Sequence, residues 1–167
     1  MKYIIILSLI LQGCGGGGSQ SSEHCKAVYY GDSIGEQLSR ADNAPDFIYK
    51  VLGGRKIIDL LINEKPTKKH HLSIDYSHCK IYIALGTNKA EGDELHLLQL
   101  LEGYRNKITC VLPMTLYSVE PPIREVMIRE CINIIDPIAS GVYPLKGDGV
   151  HLGDGDNREH YASIFTE

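Results

Sequence analysis

The sequence lacks a hydrophobic run long enough to cross a bilayer. The apolar run from Tyr3 to Leu11 is far shorter than the roughly 20 apolar residues that a membrane-spanning helix needs. The sequence also lacks an excess of basic charge, because 17 Lys and Arg stand against 21 Asp and Glu, and this disfavours nucleic acid as a partner. No two of its five cysteines have the two-residue spacing typical of zinc sites, so a metal site is not expected.

The chain is too short for a second catalytic domain. Its 167 residues, 43% hydrophobic and 23% charged, suit one compact domain, which we expect to be a monomer. Few residues remain beyond a minimal core to build a lid or a long acyl groove, so an active site would be shallow and open. Tryptophan is absent, and ten tyrosines against two phenylalanines fit half-buried strand positions better than a sugar-binding surface.

The first residues have the pattern of a bacterial lipoprotein signal. Lys2 and the apolar run are typical of an export signal. The sequence from Leu11 to Cys14, Leu-Gln-Gly-Cys, resembles a lipobox. This resemblance implies cleavage before Cys14, diacylglycerol on its sulfur and fatty acyl chains such as palmitate. An ordinary secretory signal that ends near a cysteine is the alternative.

A flexible tether follows Cys14. Residues 15–22, Gly-Gly-Gly-Gly-Ser-Gln-Ser-Ser, offer no apolar side chain to bury. We therefore divide the chain into a signal peptide (1–13), a lipidated cysteine with its tether (14–23) and a folded domain (24–167). The expected location is the cell envelope, with the domain held to a bacterial membrane by lipid rather than by charge.

The four cysteines beyond Cys14 favour disulfides, because their number is even and the chain has an export signal. Cys25 and Cys79 precede the ends of two predicted strands by similar distances, so we favour a bond between them. A bond between Cys110 and Cys131 would follow by elimination, although two free buried thiols are almost as good an interpretation.

From Lys26 onwards, short apolar runs alternate with amphipathic stretches, which predicts strands separated by helices. The predicted strands are Lys26–Tyr30, Phe47–Leu52, Lys80–Leu85, Lys107–Leu112 and Cys131–Ile135. The predicted helices are Ile34–Arg40, Lys56–Asn63, Asp93–Asn106, Pro122–Glu130 and Asp156–Phe165. Buried strands joined by crossover helices form a parallel sheet, so we expect an α/β fold: a flavodoxin-like three-layer α/β/α sandwich with five parallel strands. The loops after its strands would form the binding crevice.

A serine lies at the turn between the first strand and the first helix. Ser33 belongs to the sequence Gly-Asp-Ser-Ile at 31–34. Amides at the start of a helix can stabilise the negative charge that develops when a serine attacks a carbonyl. The alternative is that Asp32 or Ser33 simply caps the helix.

Further candidate residues follow the second and third strands and lie in the last loop. Gly53 and Gly54 allow a backbone amide to approach a ligand, or merely permit a turn. Asn88 can donate to an oxyanion, or can bond its own backbone in a turn. Asp148 precedes His151 by three residues, so His151 could take the serine proton while Asp148 orients the ring.

The order of these residues resembles that of the SGNH hydrolases, also called GDSL-type lipases and acylhydrolases. The resemblance covers about Lys26 to Phe165 and implies the SGNH hydrolase fold, an acyl-enzyme on the serine and no cofactor. It implies a catalytic triad of Ser33, Asp148 and His151, and an oxyanion hole of the Ser33 and Gly54 amides and the Asn88 side chain. Two residues depart from the common pattern: Ile34 replaces a leucine, and Lys89 replaces an aspartate, which could alter substrate preference.

These features predict an envelope-bound serine ester hydrolase. Its substrate would carry a short acyl ester, such as an O-acetyl group on a glycan. A rival hypothesis is a lipoprotein that keeps the same fold and binds glycan or a partner protein without turnover.

Overall fold

Strands and helices alternate along the chain in a computed structural model of the protein. The structure describes residues 26–63, 79–88, 90–102, 104–114, 122–143, 150–153 and 155–166. Within these ranges the strands are β1 (Val28–Gly31), β2 (Ile48–Val51), β3 (Ile81–Ala84), β4 (Ile108–Val111) and β5 (Asn133–Ile135). The helices are α1 (Ser33–Leu38), α2 (Ile57–Asn63), α3 (Asp93–Leu101), α4 (Pro122–Glu130) and α5 (Asp156–Ser163). Each predicted strand and helix is present, so the α/β prediction is confirmed.

The strands form one parallel sheet in the order β2-β1-β3-β4-β5. This is the strand order of flavodoxin-like folds, as predicted. Because every strand runs in the same direction, the carboxyl ends of all five meet at one edge. We call this edge the carboxyl edge, and the loops that follow β1, β2 and β3 begin there.

Both faces of the sheet are covered, which explains the continuous apolar strands. Val28 and Tyr30 of β1 are buried on the face covered by α2, α3 and α4. Tyr29, between them, is buried on the opposite face among residues of α1 and α5. Successive side chains of a strand point to opposite faces, so a strand between two helical layers needs apolar residues at every position.

Two strand tyrosines, Tyr29 and Tyr82, are buried more fully than the sequence suggested. Tyr29 and Tyr82 are buried in strands and form one aromatic cluster with Phe47 and Phe165. The hydroxyl of Tyr29 lies 2.9 Å from that of Tyr161, which satisfies both buried polar groups. The interpretation as strand residues is confirmed for Tyr29 and Tyr82, although both are buried rather than half-buried.

Helix α3 is shorter than predicted. It ends at Leu101 rather than Asn106, because Glu102 already has extended backbone angles, φ −60° and ψ 119°. Glycine at position 103 is the sequence signal for this end, since helices commonly stop just before a glycine. The predicted continuation to Asn106 was therefore wrong, and its last residues form turns that lead into β4.

A disulfide joins Cys110 of β4 to Cys131, which follows α4 directly. Both sulfurs are buried beneath the helices that cover this face. Cys79 is disulfide-bonded as well, but Cys25 lies outside the described residues, so the bond between Cys25 and Cys79 stays a prediction.

Replacing Cys110 and Cys131 together by alanine is expected to lower the free energy of unfolding by about 3 kcal/mol. The reason is that the bond closes a loop between residues 21 positions apart, which restricts the unfolded chain by roughly this amount. Guanidinium denaturation measures the effect. With a reductant present, the difference in unfolding free energy between wild type and variant should shrink. An unchanged difference would mean that packing and not the cross-link is responsible.

No helix within the described ranges is long and apolar enough to cross a membrane. Cys14, the signal peptide and the tether lie outside those ranges. Lipidation and the division of the chain therefore stay predictions.

Candidate functional site

The loop between β1 and α1 sets the position of Ser33. Asp32 is the N-cap of α1, and its Oδ1 accepts a hydrogen bond of 3.0 Å from the Ile34 amide. The capping alternative is therefore true of Asp32 but not of Ser33, which is the first residue of the helix. Because Asp32 caps the helix, the Ser33 hydroxyl does not serve as its N-cap. The helix was predicted to start at Ile34, which is one residue late, because Asp32 rather than Ser33 is the cap.

A glycine lets α1 lie close against the sheet. A Cβ atom at Gly35 would lie 2.8 Å from the Tyr29 ring and 2.8 Å from Cγ1 of Val51. No side chain larger than hydrogen fits there without displacing both neighbours. The close approach brings the first turn of α1, and Ser33 with it, directly above the carboxyl end of β1.

Ser33 and His151 meet although 118 residues separate them in the chain. His151 Nε2 lies 2.8 Å from Ser33 Oγ. Both residues are only half-buried, so a small ligand can reach them. When Nε2 carries no proton, the serine hydroxyl donates to it, which is the geometry that a general base needs to take the hydroxyl proton.

Asn88 lies at the same edge and is held from two sides. Its Nδ2 donates to Asp32 Oδ2 at 3.2 Å and to the Arg55 carbonyl at 3.4 Å. The loop reaches this position through Gly86, whose φ of +110° is unfavourable for other residues, and a Cβ there would lie 2.9 Å from Ile123. Asn88 is thus linked to the cap of the serine helix and does not form an isolated turn.

The two glycines after β2 have different surroundings. The Gly53 amide donates to Glu36 Oε1 at 2.6 Å, so the side chain of Glu36 ties this loop to α1. Gly54 has a φ of +75°, and an added Cβ there would meet nothing within 4 Å. Gly54 is consequently the more open of the two.

The sequence analysis missed two residues of α1 that hold neighbouring loops at the candidate site. Glu36 holds the glycine loop, and Gln37 bonds the backbone of Leu152, the residue after His151. A usable signal existed: these residues follow Ser33 by three and four positions, which places them near the serine on one side of a helix.

Asp32 is a buried acid beneath the site. Only 1% of its surface is exposed, and this burial raises the pKa of its carboxyl to about 6. Hydrogen bonds from the amides of Ile34 and of Asp32 itself, the nearby His151 and the Thr87 hydroxyl act in the opposite direction without cancelling it.

Asp32→Asn should therefore change how stability depends on pH. An acid whose pKa is raised on folding favours the native state below its unfolded pKa, near 4, and loses that contribution as pH rises through about 6. The unfolding free energy of the variant relative to wild type should rise by about 3 kcal/mol between pH 3 and pH 7, on top of a constant offset. Urea denaturation at several pH values tests this, and parallel curves for the two proteins would contradict it.

Asp148, the predicted third member of the triad, lies outside the described residues, so its role stays a prediction. Among the residues that the structure does describe, no cluster of three His, Cys, Asp or Glu side chains could hold a metal ion. A cavity of about 750 Å³ lies elsewhere, beside Lys80, Lys107 and Asn133 at the amino end of the sheet. It does not include Ser33 or His151.

No family model matches the sequence, and no curated protein matches it. Among solved structures, a peptidoglycan O-acetyltransferase domain has a similar fold. It is the C-terminal catalytic domain of peptidoglycan O-acetyltransferase A from Streptococcus pneumoniae, with a methylsulfonyl adduct. The TM-score is 0.56 at 14% sequence identity, and the similarity covers 84% of this chain and 90% of that chain. At this identity the similarity concerns the fold alone, and it agrees with the predicted fold class.

Proposed function

We propose that the protein transfers an acyl group from a carboxylic ester to water through an acyl-enzyme on Ser33. The observation that carries this proposal is the 2.8 Å distance between Ser33 Oγ and His151 Nε2. A capped helix N-terminus presents the hydroxyl, and a separate loop brings the imidazole, so the pair has the arrangement of an activated serine nucleophile.

The proposed reaction has two halves. In the first, Ser33 Oγ attacks the ester carbonyl carbon while its proton passes to His151 Nε2. The bond to the alcohol then breaks, and the same proton passes to the leaving oxygen. In the second half, water gives a proton to Nε2 and attacks the acyl carbon, which releases the acid and returns the proton to Ser33. Asp148 is proposed to hold the ring and stabilise its charged form.

Three donors are proposed for the oxyanion: the Ser33 amide, the Gly54 amide and Nδ2 of Asn88. Gly54 is preferred to Gly53 because the Gly53 amide already donates to Glu36. An oxyanion would have to replace the longer of the two Asn88 bonds, the one of 3.4 Å to the Arg55 carbonyl. Such a donor typically contributes about 100- to 1,000-fold to turnover.

The proposed substrate is a short acyl ester, with an O-acetyl group on a glycan as the leading candidate. Support comes from the partial exposure of Ser33 and His151, which suits a small acyl group at an open site. The fold similarity to a peptidoglycan O-acetyltransferase domain favours a second candidate function, in which a glycan hydroxyl replaces water in the second half-reaction.

One experiment tests the acyl-enzyme and the choice of acceptor together. Protein lacking residues 1–13 is incubated with a chromogenic acetate, with and without a soluble oligosaccharide. Release of acetate alone supports hydrolysis, and acetylated sugar supports transfer. Prior treatment with a small sulfonyl fluoride should block both and label Ser33, as mass spectrometry of peptides can show. Absence of turnover and of labelling would favour the rival hypothesis of a binding protein.

We also propose that the chain is anchored to a bacterial membrane by lipid on Cys14, as its lipobox-like sequence implies. Mass spectrometry of the mature N-terminus tests this. A mature chain that begins with acylated Cys14 supports the anchor, and a mature chain with an unmodified Cys14 rules it out.

A further inference from the structure

The side chain of Gln37 forms a two-point contact with the loop that carries His151. Its Oε1 accepts from the Leu152 amide at 2.9 Å, and its Nε2 donates to the Leu152 carbonyl at 3.2 Å. The side-chain amide of Gln37 thus bonds both backbone polar groups of Leu152: its oxygen accepts from the amide, and its nitrogen donates to the carbonyl. Two such bonds restrict both the position of the backbone and its rotation.

The imidazole needs such a restraint, because His151 lies in neither a helix nor a strand. The buried side chain of Leu152 anchors the loop in the core next to it. Burial of that side chain fixes a point in the loop, but it does not by itself fix the plane of the adjacent peptide. The contact with Gln37 restrains the plane of that peptide directly.

Ser33 and Gln37 are four residues apart on α1, so they lie on one side of the helix, one turn from each other. The hydroxyl and the contact that holds the His151 loop are therefore positioned by the same rigid turn. A small movement of the helix would carry both together, and the distance between Oγ and Nε2 would be preserved.

We infer that Gln37 is a positioning residue of the proposed reaction, which holds the backbone beside His151 so that Nε2 stays within reach of Ser33 Oγ. This inference rests on the proposed function of the same site. Gln37 acts through the loop and takes no part in bond making. Its loss should slow the chemical step and leave binding of a small ester nearly unchanged.

Three variants test the inference. Gln37→Met keeps the length of the side chain and removes both bonds. Gln37→Glu keeps the acceptor for the Leu152 amide and loses the donor. Gln99→Met makes the same chemical change on α3, which covers the opposite face of the sheet, and serves as the matched control.

We expect Gln37→Met to lower kcat for a chromogenic acetate by about 10- to 100-fold with KM within about twofold, because displacements of about 1 Å cost this much in catalysis. Gln37→Glu should also lower kcat, because one of its carboxylate oxygens would face the Leu152 carbonyl and has no proton to donate to it. The rate at which a sulfonyl fluoride labels Ser33 should fall in parallel. Gln99→Met should match wild type in every measurement.

The outcomes separate this inference from the proposed function. If wild type neither turns over the ester nor labels at Ser33, the proposed function fails. If wild type does both and Gln37→Met matches it, only the role of Gln37 fails. If Gln37→Met does not fold, Gln37→Glu decides: a loss of kcat at unchanged KM supports the inference, and wild-type kcat overturns it.

Discussion

Ser33→Ala is expected to lower kcat for a chromogenic acetate by about 10,000-fold or more, with little change in the stability of the fold. The hydroxyl is the atom that would form the bond to the acyl carbon, and nothing else at this position can replace it. Ser33 is only half-buried at the start of α1, and the helix keeps its cap from Asp32. Loss of activity should therefore come without loss of structure.

The matched control for this variant is Ser163→Ala. Ser163 ends α5, and its hydroxyl donates to the His160 carbonyl at 2.8 Å, so the same chemical change is made away from the site. Ser163→Ala should keep wild-type kcat. Equal kcat for Ser33→Ala and wild type would contradict the proposed acyl-enzyme. Thermal unfolding of all three proteins shows whether the fold is retained.

His151→Ala should cause a loss of similar size, about 10,000-fold in kcat, because the serine would lose the base that lies 2.8 Å from its hydroxyl. Labelling of Ser33 by a sulfonyl fluoride should slow as well, since the hydroxyl loses its proton acceptor 2.8 Å away. The two residues act as one unit, so the double variant Ser33→Ala, His151→Ala should be no slower than Ser33→Ala alone.

His160→Ala provides the comparison for the histidine. His160 is exposed on α5, and its replacement should leave both kcat and labelling at wild-type values. The role of His151 would be refuted if a sulfonyl fluoride labelled Ser33 in His151→Ala as fast as in wild type, irrespective of the change in kcat. Additive losses in the double variant would show that serine and histidine act independently.

The fold could be predicted from the sequence because the pattern of burial is simple. β1 and β3 are apolar at nearly every position, as strands covered on both faces must be, and α4 was predicted with the bounds that the structure gives it. The end of α3 was missed because Tyr104 continues the apolar spacing past Gly103. Tyr104 is indeed buried, but in a turn rather than in the helix.

The candidate site could be predicted only in part. Ser33, Gly54 and Asn88 follow strands whose carboxyl ends meet in any parallel sheet, so topology alone brings them to one edge. The spacing of Glu36 and Gln37 from Ser33 indicates that they lie near the serine, but not which loops they contact. Polar residues on a short helix usually face solvent, and only the docking of the loops on α1 gives them partners.

β1 begins at the amino end of the sheet and ends at the carboxyl edge. Lys26 precedes the strand at the amino end of the sheet, and Ser33 follows it at the carboxyl edge. The strand between them is about 13 Å long at the usual rise per residue. A glycan that reaches the Ser33 hydroxyl, as the proposed function requires, would therefore approach the end of the sheet opposite to the one where Lys26 leads into β1.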